Sequence, residues 1–205
     1  MELRETFNIL LEGYTCSTET KIELWNELEL LYSGTGRFYH TLKHLDSLLT
    51  ELTEVKEKLQ CWEATLFTLF YHDAIYEATQ PENEEQSALL AAKRMEQVLV
   101  PKPIIASCCA QIEATKHHFL ASDVDTCYFL DADLCILGQD AETYAAYRWN
   151  VRKEYAIFPD ATYNQGRKAV LQHFLNMDRI YKTPHFYHKY EDKARQNLHA
   201  ELTLY

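Results

Sequence analysis

Apolar residues recur along this chain at the spacing of amphipathic helices. The leucines of a segment that starts near Phe38 would share one helical face: Leu42, Leu45, Leu48, Leu49 and Leu52. Residues 62–71 are apolar nearly all round, which predicts a helix buried on every side. No run of β-branched residues indicates a strand. The pattern therefore predicts an all-α fold, a bundle of about eight to ten helices.

Turn and capping residues divide the pattern into elements. Residues 33–36, Ser-Gly-Thr-Gly, separate a helix at about 19–32 from the helix that starts near Phe38. Asn83, with Gln86 three positions later, predicts a capping box, and Gly138 is expected to end a buried segment as a left-handed cap. Further helices are expected at about residues 104–115, 141–155, 161–177 and 188–203.

The length of 205 residues suits one domain with a substantial core. We find no linker, repeat or low-complexity segment, so a single domain over residues 1–205 is predicted. Its motif-bearing core covers about residues 36–138, and the C-terminal helices of residues 140–203 are expected to pack on that core.

Charge and hydropathy narrow the partners and the location. No apolar run reaches the roughly 18 residues of a membrane span, and the N-terminus lacks the pattern of a signal peptide. A cytoplasmic protein without a membrane partner is therefore expected. The formal net charge of −11 argues against a nucleic-acid polymer as partner. A homo-oligomer is compatible with the sequence.

Two groups of acidic residues lie where the pattern predicts burial. His72 and Asp73 end the most apolar segment, and Asp131 and Asp133 lie inside another apolar run. Because a buried carboxylate without a partner is costly, a divalent cation bound by both groups would explain them. Asp131 and Asp133 lie about 200° apart around a helix, so only one of them can easily face a given cation. The other is expected to support the site, for example by orienting a histidine.

A third group is formed by His40 and His44, which would share one face of the predicted helix because they are four residues apart. The spacing leaves open which of the two binds metal. Two imidazoles and two carboxylates suit a divalent ion such as Mn²⁺, Fe²⁺, Co²⁺, Ni²⁺, Mg²⁺ or Zn²⁺. Water on such an ion has a lowered pKa and can attack phosphorus. The number of ions is left open.

The order of these motifs resembles the HD superfamily of metal-dependent phosphohydrolases, in which a His, a His-Asp doublet and a distant Asp follow one another on successive helices. The segment from Tyr39 to His44 is similar to the first motif of the cyclic-nucleotide phosphodiesterases. The wider pattern resembles a bacterial group of predicted HD-superfamily phosphohydrolases over about residues 20–203. The segments that carry this resemblance are residues 37–40, 71–76, 83–88, 114–117, 129–134, 166–167 and 195–198.

The resemblance implies a set of site residues. The implied metal ligands are His44, His72, Asp73 and Asp133, the last through its Ala-Asp-Leu triplet. The first motif implies that His40 protonates the leaving group.

Three further assignments are hypotheses. Glu84 is expected to bind the nucleophilic water, although acidic residues in a first helical turn also suit the helix dipole. His117 is expected in the site, where a second metal ion would use an additional histidine. The candidates for neutralising a substrate phosphate are Arg37, Lys116, Arg152 and Arg167.

The predicted function is hydrolysis of a phosphomonoester or phosphodiester, with a nucleotide as the expected small substrate, by metal-activated water. A non-catalytic HD module that senses metal or nucleotide is one alternative. An HD-type di-iron oxygenase, with His117 or His118 as extra ligands, is another. Metal content, product formation and oxygen consumption distinguish the three.

Overall fold

The computed structural model of the protein describes residues 3–205. In this range the chain forms ten α-helices, two short 3₁₀ helices and no β-strand, which confirms the all-α prediction. The chain divides into two compact units, Met1–Leu130 and Asp131–Tyr205. None of the helices in residues 3–205 has both the length and the apolar character needed to cross a bilayer.

The first unit contains six helices and most of a seventh. These are α1 (Leu3–Glu12), α2 (Thr18–Tyr32), α3 (Leu42–Glu54), α4 (Trp62–Tyr71), α5 (Asn83–Gln97), α6 (Lys102–Ala114) and α7 (Val124–Asp133), with a 3₁₀ turn at Lys56–Lys58. Helix α4 is central, because α1, α3, α5 and α6 all pack against it. Every residue of α4 from Ala64 to Tyr71 is buried, as its apolar sequence predicts.

The second unit begins in the last turn of α7. It continues through the 3₁₀ helix Leu134–Gly138, α8 (Ala141–Glu154), α9 (Asp160–Leu175) and α10 (Pro184–Leu202). Helix α10 packs on the 3₁₀ helix and on α9. Gly138 has no positive φ, so the predicted left-handed cap is wrong. Gly138 instead permits close packing, because a Cβ atom there would lie 2.6 Å from Cβ of Tyr190.

The start of α3 also differs from the prediction. The helix begins at Leu42, with Thr41 as its N-cap residue, and not near Phe38. The Thr41 amide donates to the Tyr39 carbonyl at 2.8 Å, so the chain makes a tight turn here before the helix starts. His40 therefore lies in this turn and does not share a helical face with His44.

The capping box predicted at Asn83 is not formed. Glu82 is the N-cap residue of α5, and no side chain caps the helix. The Asn83 side chain instead holds the preceding loop. Its Oδ1 accepts from the Glu77 amide at 3.0 Å, and its Nδ2 donates to the carbonyls of Glu77 and Gln80 at 2.9 and 3.1 Å. An Asn side chain can bond nearby backbone groups either at a helix N-terminus or in a loop. The sequence alone therefore does not distinguish the two roles.

Candidate metal centre

His72 is fixed at the end of the buried helix α4. Its backbone amide donates to Thr68 at 2.9 Å, and its side chain is only 1% exposed. The ring nitrogen Nδ1 lies 3.1 Å from the Leu69 carbonyl oxygen. Because a carbonyl only accepts, Nδ1 carries the proton, and in the neutral ring Nε2 presents its lone pair. A metal-binding imidazole is commonly oriented by this kind of contact.

Two other ligand atoms lie beside Nε2 of His72. Nε2 of His44 is 3.2 Å away and Oδ2 of Asp73 is 3.1 Å away, and these two atoms are 3.8 Å from each other. With bonds of about 2.1 Å, neighbouring ligands of one ion are about 3.0 Å apart in an octahedron and about 3.4 Å apart in a tetrahedron. The distances of 3.1 and 3.2 Å match these values and the distance of 3.8 Å is slightly longer, so the residues fit a divalent cation.

His44 and His40 differ in their position at the candidate metal centre. His44 lies in the first turn of α3 and is 7% exposed. His40, from the preceding turn, has its Nε2 4.0 Å from Oδ2 of Asp73, and its side chain is 20% exposed. The geometry thus favours His44 as the ligand and leaves His40 at the more accessible edge.

Asp131 is engaged elsewhere. It is fully buried, and its carboxylate accepts the backbone amides of Lys182 at 2.8 Å and of Thr183 at 2.6 Å. Burial raises the pKa of the Asp131 carboxyl above its usual value, although these amide bonds act in the opposite direction. Asp131 therefore binds the backbone amides just before α10. The sequence suggested a histidine as its partner instead.

Asp133 lies on another face of α7. Four residues before it on the same face is Phe129, whose ring lies 5.4 Å from that of His72, edge to face. Asp133 itself belongs to the second unit, and its role as a metal ligand stays a prediction.

Asp73 directly follows His72, and its Oδ2 lies within 3.8 Å of both Nε2 atoms. It is therefore the carboxylate that completes a set of three ligand atoms within the first unit.

Glu84 lies in the first turn of α5, at a cluster centred on Lys116. The Lys116 ammonium lies 3.9 Å from Oε2 of Glu84, pairs with Glu85, and donates to the Pro81 carbonyl at 2.7 Å. The bond from Lys116 lowers the pKa of Glu85. Glu84 is not in the group of potential ligands found in residues 3–205. Lys116 thus joins α5 to the segment after α6.

His117 is exposed, and its ring stacks on Phe119 with the ring centroids 5.6 Å apart. His117 is not among the potential metal ligands that cluster in the described part of the chain. The next residue, His118, has a left-handed φ of 53°. The structure therefore places His117 on an exposed turn after α6.

The arginines expected to meet phosphate all bind acceptors inside the protein. Arg167 pairs with Glu201 at 2.8 Å, and both side chains are almost inaccessible. Arg152 pairs with the exposed Asp160 at 2.6 Å. Arg37 donates to two backbone carbonyls. These contacts give the three residues structural roles, which their charge alone did not reveal.

Sequence reasoning missed a role for Tyr76. Its ring lies 4.3 Å from that of His40, at the accessible edge of the imidazole group. The available signal was its position three residues after Asp73, in a segment that must lie beside the site.

Comparisons of the chain with protein-family models, with curated proteins and with solved structures find no match.

Proposed function

We propose that the protein is a metal-dependent phosphohydrolase that cleaves a phosphomonoester or phosphodiester, with nucleotides as the substrate class. The observation that carries the proposal is the convergence of His44, His72 and Asp73. Their ligand atoms lie 3.1–3.8 Å apart at the end of a buried helix. The motif order, which resembles that of the HD superfamily, supports the same function.

His44, His72, Asp73 and Asp133 would hold the metal ion. Two imidazole nitrogens and two carboxylate oxygens form a donor set of intermediate softness, suited to Mn²⁺, Fe²⁺, Co²⁺, Ni²⁺ or Zn²⁺, and to Mg²⁺ with added water. The bound cation supplies a water molecule of lowered pKa and withdraws electrons from a phosphoryl oxygen. The low exposure of His44 and His72 keeps bulk water from competing for their nitrogens.

His40 is suited to proton transfer. As the water oxygen bonds to phosphorus, the ester P–O bond breaks, and its electron pair stays on the leaving oxygen. That oxygen takes the proton from Nε2 of a protonated His40, and the ring later regains a proton from the attacking water. His40 fits this role because its Nε2 lies 4.0 Å from Oδ2 of Asp73, and its side chain is accessible to substrate.

The decisive experiment combines metal analysis with hydrolysis. The wild-type protein is loaded with Mn²⁺, Co²⁺ or Ni²⁺, and a panel of phosphate esters and nucleotides is assayed for product. Asp73→Asn keeps the shape of the side chain but removes its charge, and we expect it to lose both metal and activity. The control is Asp46→Asn, an exposed position on α3 two residues after His44, which should retain both.

Other outcomes would replace this function. Full activity in Asp73→Asn would refute the proposed mechanism. Thermal stabilisation by metals and nucleotides without product from any ester would identify a binding module. Two irons per chain together with oxygen consumption would identify an oxygenase.

A further inference from the structure

His40 is the last member of a series of four planar side chains. The Arg37 guanidinium carbon lies 4.9 Å from the ring centroid of Tyr32 and 5.4 Å from that of Tyr76. The Tyr76 ring lies 4.3 Å from the His40 ring, with 34° between the two planes. Tyr32 is 1% exposed and ends α2, so the series starts in the core and ends at the candidate proton donor.

Arg37 also binds the backbone on both sides of the site. Its Nη1 donates to the His40 carbonyl at 3.0 Å, and its Nη2 donates to the Ala74 carbonyl at 2.9 Å. Ala74 directly follows Asp73. The planar guanidinium can hold both carbonyls at once because its donors form a rigid fork. Arg37 thus joins the turn that carries His40 to the segment that carries His72 and Asp73.

The location of His40 explains why such support matters. His40 lies in the turn before α3, so the hydrogen-bond ladder of a helix does not hold its backbone. Its side chain is also partly exposed, so packing on the core does not enclose the ring. A proton donor must stay within hydrogen-bond reach of the leaving oxygen, and a misplacement of about 1 Å can lower a rate about 100-fold.

We propose that Arg37 and Tyr76 are positioning residues for His40. Tyr76 sets the plane of the imidazole through ring contact, and Arg37 holds both the turn and the Tyr76 ring. In this role neither residue touches the reacting atoms. The inference rests on the proposed function, in which His40 protonates the leaving oxygen.

The first test compares two esters that differ in their need for a proton. The leaving oxygen of p-nitrophenyl phosphate is a weak base, whereas that of phenyl phosphate needs protonation more. We expect His40→Ala to reduce phenyl phosphate hydrolysis by about 100-fold or more, with a much smaller loss for the nitrophenyl ester. Tyr76→Leu should show the same bias at about 10-fold, and Tyr76→Phe, which keeps the ring, should resemble wild type. Equal losses for both esters in Tyr76→Leu would overturn the inference.

A matched control is available in the second unit. Tyr187, on α10, is also partly buried and also lies against an arginine, with the Arg179 guanidinium carbon 4.6 Å from its ring centroid. Tyr187→Leu removes the same ring and the same kind of cation contact, and it should leave the ratio of the two rates unchanged. Arg37→Lys keeps the charge but loses the fork, so it should reproduce the bias of Tyr76→Leu.

The second test does not depend on hydrolysis. The ring signals of His40 are assigned in the NMR spectrum of the Zn²⁺-loaded protein by their loss in His40→Ala. Because an adjacent aromatic ring shields these protons, Tyr76→Leu should shift and broaden them, whereas Tyr76→Phe and Tyr187→Leu should not. If the wild type hydrolyses neither ester, the proposed function fails, and this spectrum still decides the positioning. Unchanged His40 signals in Tyr76→Leu would overturn it.

Discussion

Gly138→Ala tests how tightly the second unit is packed. The backbone of Gly138 is not left-handed, so alanine meets no conformational strain there. The space, however, is taken. The added Cβ atom would lie 2.6, 2.7 and 2.9 Å from Cβ, Cδ1 and Cγ of Tyr190. Real Cβ contacts are longer than this, so the backbone or the tyrosine must move.

Tyr190 has little room to give way. It is 7% exposed, its ring stacks on Phe186 at 6.3 Å, and its hydroxyl accepts from Nε2 of Gln139 at 3.3 Å. The clash also involves the base of the side chain, which only a backbone shift can displace. Overpacking of this kind costs about 1–3 kcal/mol, and we expect the upper half of that range. Glycine replacement returns about 0.4–1 kcal/mol through the unfolded chain. The net loss is therefore about 1.5 kcal/mol.

The assay is thermal and urea unfolding followed by circular dichroism. For a chain of this size, 1 kcal/mol shifts Tm by about 2–4 °C, so Gly138→Ala should lower Tm by about 3–6 °C. The matched control is Gly166→Ala. Gly166 lies inside α9 with no atom near the added Cβ. Because alanine is the better helix former, this variant should gain about 0.5–1 kcal/mol.

The two substitutions are expected to change the stability in opposite directions, which makes the result decisive. A Gly138→Ala protein as stable as wild type, or more stable, would show that α10 yields easily and that the close approach to Tyr190 has no energetic consequence. A loss of stability in Gly166→Ala would show that the conformational argument for the helix interior is wrong.

Two further predictions concern buried carboxylates. Burial disfavours ionised Glu201, but the bonds from Arg167 and Tyr144 outweigh it and hold the pKa of Glu201 below its usual value. In the unfolded chain the pKa of a Glu carboxyl is about 4.3. The stabilisation that ionised Glu201 provides is therefore present above that pH, and it is lost as the pH falls through the lower pKa of Glu201 in the folded protein. Glu201→Gln should cost about 3 kcal/mol near neutral pH and should weaken the acid dependence in urea titrations; an unaltered dependence would contradict the linkage. Asp125→Ala removes the acceptor for the amides of Gln60 and Cys61 at 2.7–3.1 Å. It should lower the free energy of unfolding by about 1–3 kcal/mol in the same urea titration. An unchanged unfolding midpoint would show that water replaces the carboxylate.

The helices themselves were predictable, because helix formation depends on local spacing and propensity. The nearly continuous apolar sequence of α4 required burial on all sides, and the structure shows that burial. The same local reasoning placed His72 and Asp73 at the end of this helix. It failed at the start of α3, where the residues before Leu42 form a turn instead of the first helical turn.

Side-chain partners distant in sequence were not predictable. Arg37 was a candidate for phosphate binding, and its charge gave no sign of a carbonyl partner 37 residues away. The helical spacing left Asp131 and Asp133 as alternatives and the resemblance favoured Asp133, whereas the partners of Asp131, the amides of Lys182 and Thr183, are visible only in the structure. The prediction of a cap at Gly138 was wrong because, in sequence, a glycine that ends a helix cannot be distinguished from a glycine that admits a neighbouring ring.

The sequence by itself determined which donor groups exist, in what order they occur, and that several of them follow helices too apolar to stay exposed. The tertiary structure decided which atoms meet. The Leu69 carbonyl sets the proton position on His72, and packing between α3 and α4 brings His44 to 3.2 Å from it. The physical reason is the range of the forces involved. Periodicity and burial act over whole helices, whereas coordination and proton transfer depend on differences of a few tenths of an ångström that only the packed chain can fix.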